Sequence, residues 1–99
     1  MFIYEVTATV DSSVAAEYET FMAEQHIPDV LATGYFAAAF FAKNGSTYRI
    51  GYHCDSHENF DAYLANEADR LRADMSDHFP KGVEHSRQNL EIIALFPSP

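Results

Sequence analysis

The chain has 99 residues, of which 15 are acidic and six are basic, and it carries a net charge of −9 with an aromatic content of 14%. Its length fits one domain, residues 1–99, and excludes two. The acidic balance argues against nucleic acid and membrane surfaces as partners, because both are bound by clustered Lys and Arg side chains. No apolar run approaches the ~20 residues that a membrane span needs. The single cysteine, Cys54, suits a reducing compartment, so we expect a cytoplasmic protein.

The first third of the chain predicts a strand followed by two helices. Phe2 to Val10 alternates apolar and polar side chains, which is typical of a half-buried strand. A helix with an apolar stripe from Val14 to Gln25 should follow. It should stop near His26, because the residue before Pro28 is pushed away from α geometry. A short second helix, Asp29 to Thr33, is expected next.

A β-hairpin, a further helix and a last strand are predicted in the rest of the chain. Tyr35 to Lys43 and Thr47 to Cys54 are predicted strands, and Asn44-Gly45 between them favours a type I′ turn, which needs two residues that tolerate positive φ. Asp55-Ser56 should cap a helix with an apolar stripe of Phe60, Leu64, Ala68, Leu71 and Met75. The last strand is expected to run from about Glu84 to Phe96.

This order of elements predicts a ferredoxin-like βαββαβ sandwich of the α+β class. Its four-stranded antiparallel sheet should have the first and third strands in the centre and the helices on one face. Aromatic residues in the second strand would be unfavourable at a solvated edge. We therefore expect two copies to pair through their sheets as a homodimer, with a polar cavity on the open sheet face.

Alternation along the strands predicts which side chains lie on that open face. The more apolar sets should face the helices, namely Tyr4, Val6 and Ala8; Tyr48, Ile50 and Tyr52; and Leu90, Ile92 and Ala94. The opposite sets contain the residues that we predict to bind a ligand: Glu5, Arg49, His53, Arg87 and Glu91. A solvated face with ordinary cross-strand Glu–Arg pairs is the alternative. Parity alone leaves open which residues of the second strand share this face.

Other polar residues are interpreted as structural. The histidines fit no metal-ligand spacing, so no metal is expected. His26 is interpreted as a helix-end residue that interacts with the last carbonyls. Arg70 and Arg72 are predicted to form surface ion pairs with nearby carboxylates, and the ring of Tyr63 is predicted to pack in the core.

Short segments spread over nearly the whole chain form a recognisable set: Ile3-Tyr4-Glu5-Val6, His26-Ile27-Pro28, Leu31, Gly34, Ala62-Tyr63-Leu64, Arg70-Leu71-Arg72-Ala73-Asp74, Phe79 and Ser86-Arg87. This set resembles a small bacterial family of unknown function in the dimeric α+β barrel superfamily, which also contains cofactor-independent antibiotic-biosynthesis monooxygenases and haem-degrading enzymes. The resemblance implies a dimeric barrel and a cytoplasmic bacterial setting, and it implies no reaction. Haem-degrading members use a haem-ligating His with an Asn and a Trp nearby, whereas this chain has no Trp. We expect no cofactor.

Two functions are compatible with these observations, and whether the protein is an enzyme is left open. The first is a module that binds a small molecule or has a structural role. The second is a cofactor-independent monooxygenase or isomerase acting on a small aromatic substrate. In the second, Glu5 or His53 would transfer a proton, and Arg49 or Arg87 would stabilise a developing oxyanion.

Overall fold

The computed structural model describes residues 1–99 as a four-stranded antiparallel sheet with helices packed on one face. In chain order the elements are β1 (Phe2–Val10), α1 (Ala15–Phe21), a π-helical segment (Met22–His26), α2 (Ile27–Ala32), β2 (Ala38–Asn44), β3 (Thr47–Cys54), α3 (His57–Asn66), α4 (Ala68–His78) and β4 (Val83–Glu91). The strand order is β2-β3-β1-β4, with β1 and β3 in the centre. The predicted ferredoxin-like fold is confirmed. No helix is both long enough and apolar enough to pass through a membrane.

The two central strands alternate as predicted. The side chains that they bury beneath the helices are Phe2, Tyr4, Val6, Ala8 and Val10 of β1, and Tyr48, Ile50, Tyr52 and Cys54 of β3. Together with helical residues, and with Phe36 and Phe79 from the connecting segments, they form one cluster of 19 buried hydrophobic residues. Each large side chain buried in this way contributes about 1.5–3 kcal/mol to folding. The cluster therefore fixes the helices against the sheet.

The chain stays helical through His26 and Ile27, so the predicted helix stop is wrong. Ile27 has φ −62° and ψ −46° although it precedes Pro28, and its N–H donates to the carbonyl of Met22. That bond spans five residues and defines a π-helical turn, which is wider than an α-helical one. In a regular α-helix the ring of Pro28 would clash with the preceding turn. We infer that the wider π-helical turn gives the ring the space it needs.

The second helical region is interrupted at Glu67, which has φ −129° and ψ −33° between α3 and α4. The interruption changes which side chains face the sheet. Tyr63 is buried, and the next buried position, Ala68, follows five residues later. Leu64, predicted to lie in the apolar stripe, is 38% exposed. The prediction was wrong at Leu64 because it assumed one unbroken helix.

The last strand is shorter than predicted. β4 ends at Glu91 rather than at Phe96. Its only neighbour, β1, begins at Phe2, which lies opposite Glu91, so no strand is left for later residues to pair with. Ile93 and Phe96 beyond it are 97% and 91% exposed.

The side chains of β4 have the opposite orientation to the predicted one. Arg87 lies opposite Val6, and Glu91 opposite Phe2, which places both on the helix side of the sheet. Leu90, predicted to face the helices, lies on the open face. The prediction relied on apolar residues after position 91 that do not belong to the strand.

Candidate functional site

A small cavity lies between the helices and the sheet, beside the edge strand β4. Its volume is about 30 Å³, which is room for about two water molecules. Residues of the π-helical segment, of α2, α3 and α4 and of three strands line it: Tyr4, Val6, Met22, His26, Val30, Tyr52, Tyr63, Arg72, Met75, His85 and Arg87. Because Arg87 is exposed on the edge strand, the cavity reaches the surface there.

The polar groups that line this cavity are cationic or neutral. They include the guanidiniums of Arg72 and Arg87, the imidazoles of His26 and His85, and no carboxylate. The whole chain has six basic residues and a net charge of −9. Two of the six therefore concentrate positive charge at one place in an acidic protein, and such a local potential favours an anionic ligand.

Two buried side-chain polar atoms in the structure have no hydrogen-bond partner, and both belong to residues that line this cavity. They are Nδ1 of His26 and Nε of Arg72. The other end of the Arg72 guanidinium is held in place, because its Nη2 donates to the hydroxyl of Tyr4 at 3.1 Å. Buried polar atoms are almost always hydrogen-bonded in native proteins. The two exceptions make His26 and Arg72 candidates for contact with a further polar group.

Both cavity histidines are uncharged at neutral pH. Burial lowers the pKa of His85 to about 4, and the positive charge of Arg87 acts in the same direction. Burial also lowers the pKa of His26, although the carboxylates of Asp74 and Asp29 oppose the shift. The positive charge of the cavity at neutral pH thus comes from the arginines, and the imidazoles act as neutral hydrogen-bonding groups.

The tyrosines at and beside the cavity keep their protons. Burial raises the pKa of Tyr63 to about 12, and it also raises the pKa values of Tyr18 and Tyr52. The rings of Tyr52 and Tyr63 lie beside that of Tyr4, with centroids 5.8 Å and 6.2 Å away from it, respectively. The cavity therefore has aromatic walls, and the hydroxyl of Tyr4 is held by Arg72.

The predicted residues on the open sheet face form a separate cluster with paired charges. Glu5 is only 5% exposed, and its Oε1 accepts hydrogen bonds from Arg49 and from Nε2 of Gln88, the latter at 3.0 Å. His53 lies on the same face of the sheet. Glu5, Arg49 and His53 thus share a face as predicted, but the described cavity lies on the other side of the sheet. Their role in ligand binding stays a prediction.

Sequence reasoning missed His26 and Arg72 as site residues. Arg72, predicted to form a surface ion pair, instead points to the hydroxyl of Tyr4. A signal was present, since Arg72 lies four residues after the buried Ala68 and three before the buried Met75, on the inward side of α4. His26 has a similar spacing, four residues after the buried Met22 and four before the buried Val30, but the predicted helix stop at His26 hid this signal.

The chain has a ferredoxin-like α+β fold, which it shares with solved structures of several oxygenases and of a heme-degrading protein. A protein assigned as an antibiotic biosynthesis monooxygenase from Deinococcus radiodurans matches with a TM-score of 0.71 and 15% identity, covering 100% of this chain and 99% of that one. SnoaB, a cofactor-independent oxygenase from Streptomyces nogalater, matches with a TM-score of 0.74 and 13% identity over 98% of both chains. The heme-degrader MhuD from Mycobacterium tuberculosis, with two hemes in its active site, matches with a TM-score of 0.70 and 17% identity over 98% of this chain and 100% of that one. At these identities the similarity shows the fold alone.

The chain belongs to the family described as Domain of unknown function (DUF4286), which matches residues 1–93. No curated protein matches the sequence. The predicted membership of a family of unknown function is confirmed, and the fold is the predicted one.

The cavity does not fit a haem group. Its volume of about 30 Å³ is far below that of a macrocycle. Of its two histidines, His85 already has its Nε2 within 3.3 Å of the hydroxyl of Tyr18, and the cavity has no room for a macrocycle beside Nδ1 of His26. The residues present therefore give no basis for chemistry that passes through haem.

Proposed function

We propose that this protein binds a small aromatic anion in the cavity between the helices and the sheet. The observation that carries the proposal is that the two unpartnered buried polar atoms, on His26 and Arg72, belong to residues that line one cavity. An unsatisfied buried group costs about 1–3 kcal/mol. A ligand that accepts from the Arg72 guanidinium and pairs with the His26 imidazole would recover that free energy.

The charges and rings around the cavity support this ligand class. Two guanidiniums without a lining carboxylate favour a carboxylate or phenolate over a neutral or cationic group. The rings of Tyr4, Tyr52 and Tyr63 favour a planar, apolar body. A single aromatic ring that carries one anionic group meets both requirements.

The size of the cavity restricts the ligand to about one ring. A volume of about 30 Å³ is smaller than a benzene ring, so side chains must move on binding. Met22 and Met75 line the cavity, and methionine adapts its shape readily because its side chain is unbranched. Arg87 is exposed and free to swing aside.

Titration calorimetry tests the proposal with benzoate and 4-hydroxybenzoate as ligands. Benzamide keeps the ring without the charge, and cyclohexanecarboxylate keeps the charge without the ring, so both should bind more weakly. Arg72→Met should weaken benzoate binding by about 10-fold or more, because it removes a hydrogen bond to a charged group worth about 1.5–3 kcal/mol.

Arg70→Met is the matched control for this experiment. Arg70 lies on the same helix, but it is exposed and pairs with Glu67 at 2.7 Å. Its substitution should leave the affinity unchanged. No saturable binding of any anionic aromatic ligand, or equal losses in the two variants, would contradict the proposal.

The open sheet face supports a homodimer. Phe40 and Leu90 lie on it, and each is 39% exposed. Ala38 and Phe40 of β2 lie opposite His53 and Gly51 and therefore on this face. The sequence left open which residues of the second strand share it. Exposed apolar groups that share one face are typical of association surfaces.

The charged cluster on the open face is compatible with burial in such a dimer. Glu5 already accepts hydrogen bonds from Arg49 and Gln88 of its own chain. A partner that covers the cluster would therefore not leave the carboxylate unpaired, which is the condition for burying a charge at acceptable cost.

A second function, cofactor-independent oxygenation or isomerisation of the same ligand class, is favoured by the fold shared with SnoaB. Fold similarity alone does not establish an activity. Oxygen uptake measured with an electrode in the presence of a bound dihydroxybenzene tests oxygenation. A rate of oxygen uptake proportional to the protein concentration would support oxygenation. Tight binding of the ligand without oxygen uptake would indicate a binding module.

A further inference from the structure

We infer that His26 accepts a proton from a hydroxyl-bearing aromatic ligand held in the cavity. This inference rests on the proposed function. His26 would act as a base towards phenols, which carry a hydroxyl proton, and not towards aromatic ligands that lack one.

The position of His26 depends on the π-helical segment. Met22, His26 and Val30 follow one another at intervals of four residues along this part of the chain, and all three line the cavity. The intervening Glu24 and Gln25 are exposed. Phe21 stacks on the His26 ring with an interplanar angle of 30°. The ring is thus held in place while its Nδ1 has no partner within the protein.

The other ionisable groups at the cavity are unsuited to this role. His85 has a pKa of about 4, and its Nε2 lies 3.3 Å from the Tyr18 hydroxyl, which makes it a weak and occupied base. The raised pKa values of Tyr52 and Tyr63 keep both phenols protonated. The guanidiniums have no lone pair to accept a proton.

Charged groups influence His26 from three neighbouring elements. The carboxylates of Asp74 on α4 and Asp29 on α2 favour its protonated form, whereas burial and the charge of Arg87 on β4 disfavour it. His85 of β4 is coupled to it as well. His26 is therefore an uncharged base at neutral pH, with two carboxylates placed to stabilise the imidazolium that forms on proton transfer.

The step is a simple proton transfer. The O–H bond of the ligand breaks, its electron pair stays on the oxygen, and a new N–H bond forms at Nδ1 of His26. The products are a phenolate and an imidazolium. Arg72 and Arg87 line the same cavity and offset the negative charge on the phenolate.

Absorbance titrations with 4-nitrophenol test this inference, because the probe is coloured only as the phenolate. Bound to the unmodified protein near neutral pH, it should be more ionised than in buffer, and the excess should disappear as the pH falls and His26 becomes protonated. His26→Gln should still bind the probe but lower the bound phenolate-to-phenol ratio about 10-fold, which corresponds to one pKa unit. 4-Nitrobenzoate has no hydroxyl proton to transfer, and the amide of Gln can replace the hydrogen bond from His26 to its carboxylate, so both proteins should bind it with similar affinity.

His78→Gln is the matched control. His78 contacts the same Phe21 ring, at 4.2 Å, but does not line the cavity, so this variant should behave like the unmodified protein. Saturable binding of 4-nitrophenol with the same ionised fraction in His26→Gln would overturn the inference and leave the proposed function intact. Loss of 4-nitrobenzoate binding in His26→Gln would also overturn it, because His26 would then only shape the cavity. Absence of binding of both probes to the unmodified protein would instead refute the proposed function.

Discussion

Tyr18 of α1 and His85 of β4 are linked by a 3.3 Å contact between the hydroxyl and Nε2, and the burial of His85 couples stability to pH. Burial lowers the pKa of His85 from an ordinary value of 6.5 to about 4. Between these two values the unfolded chain takes up a proton that the folded protein does not. The stabilisation is therefore complete above about 6.5 and is lost as the pH falls towards 4.

Substitution of His85 by Gln should remove this pH dependence. Between pH 7 and pH 4 the free energy of unfolding of the unmodified protein should fall by about 1–2 kcal/mol more than that of His85→Gln, because solvent screening of this partly exposed imidazole reduces the effect of its pKa shift. Urea unfolding at pH 7, 5.5 and 4 measures the difference. Parallel losses in the two proteins would show that the imidazole is not held neutral by burial.

Single residues differ in how far their roles could be predicted from the sequence. The sharing of one face by Glu5, Arg49 and His53 was predictable, because alternation along a strand is a local property. The inward direction of Arg72 was only indirectly visible, through its spacing from buried neighbours. The unpartnered atom of His26 was not predictable, since it depends on which residues of other elements come near it.

At the scale of elements, the period of apolar residues predicted the type and order of the elements but not their interruptions. Tyr63 and Leu64 both have apolar side-chain surface. The sequence from Phe60 to Met75 is therefore compatible with a buried helix face that contains either residue. The break at Glu67 selects Tyr63 and leaves Leu64 38% exposed. Similarly, the orientation of β4 is determined by its pairing with β1, which is a tertiary interaction that local periodicity does not contain.

The packing between β2 and β3 gives a prediction at this scale. The ring of Phe40 lies over Gly51, where an added Cβ would overlap it. Gly→Ala in a strand normally stabilises by roughly 0.5–1 kcal/mol. Here Gly51→Ala should instead destabilise by about 1 kcal/mol, because the ring must move from its packed position.

Phe40→Ala should reverse the sign of that effect. With the ring removed, Gly51→Ala should stabilise the protein, giving a coupling energy of about 1 kcal/mol or more in a double-mutant cycle. Urea unfolding of the four proteins at one fixed protein concentration measures the cycle. Additive effects would mean that the ring does not restrict position 51.

At the scale of the whole molecule, the proposed homodimer is tested by a pair of matched substitutions. Leu90 on the open face and Leu64 on α3 are 39% and 38% exposed, respectively. Leu90→Glu would place a charge in the interface and should weaken association by about 10-fold or more, since a buried unpaired carboxylate costs several kcal/mol. Leu64→Glu should have no such effect.

Sedimentation analysis at micromolar concentration measures this association. The unmodified chain of 11.1 kDa and Leu64→Glu should sediment as dimers, and Leu90→Glu should show a larger monomeric fraction. A monomeric unmodified protein, or equal behaviour of the two variants, would contradict pairing through the sheet face.

The contrast between a cationic cavity and a net charge of −9 has a kinetic consequence. An anionic ligand is repelled by the acidic exterior until it comes within about 8 Å of the guanidiniums, which is the screening length at physiological salt. Its encounter rate is therefore reduced by the long-range field, whereas its residence time is set by the short-range contacts. Moderate salt should consequently speed entry by screening the exterior, and the protein would discriminate between anions by how slowly they leave rather than by how fast they arrive.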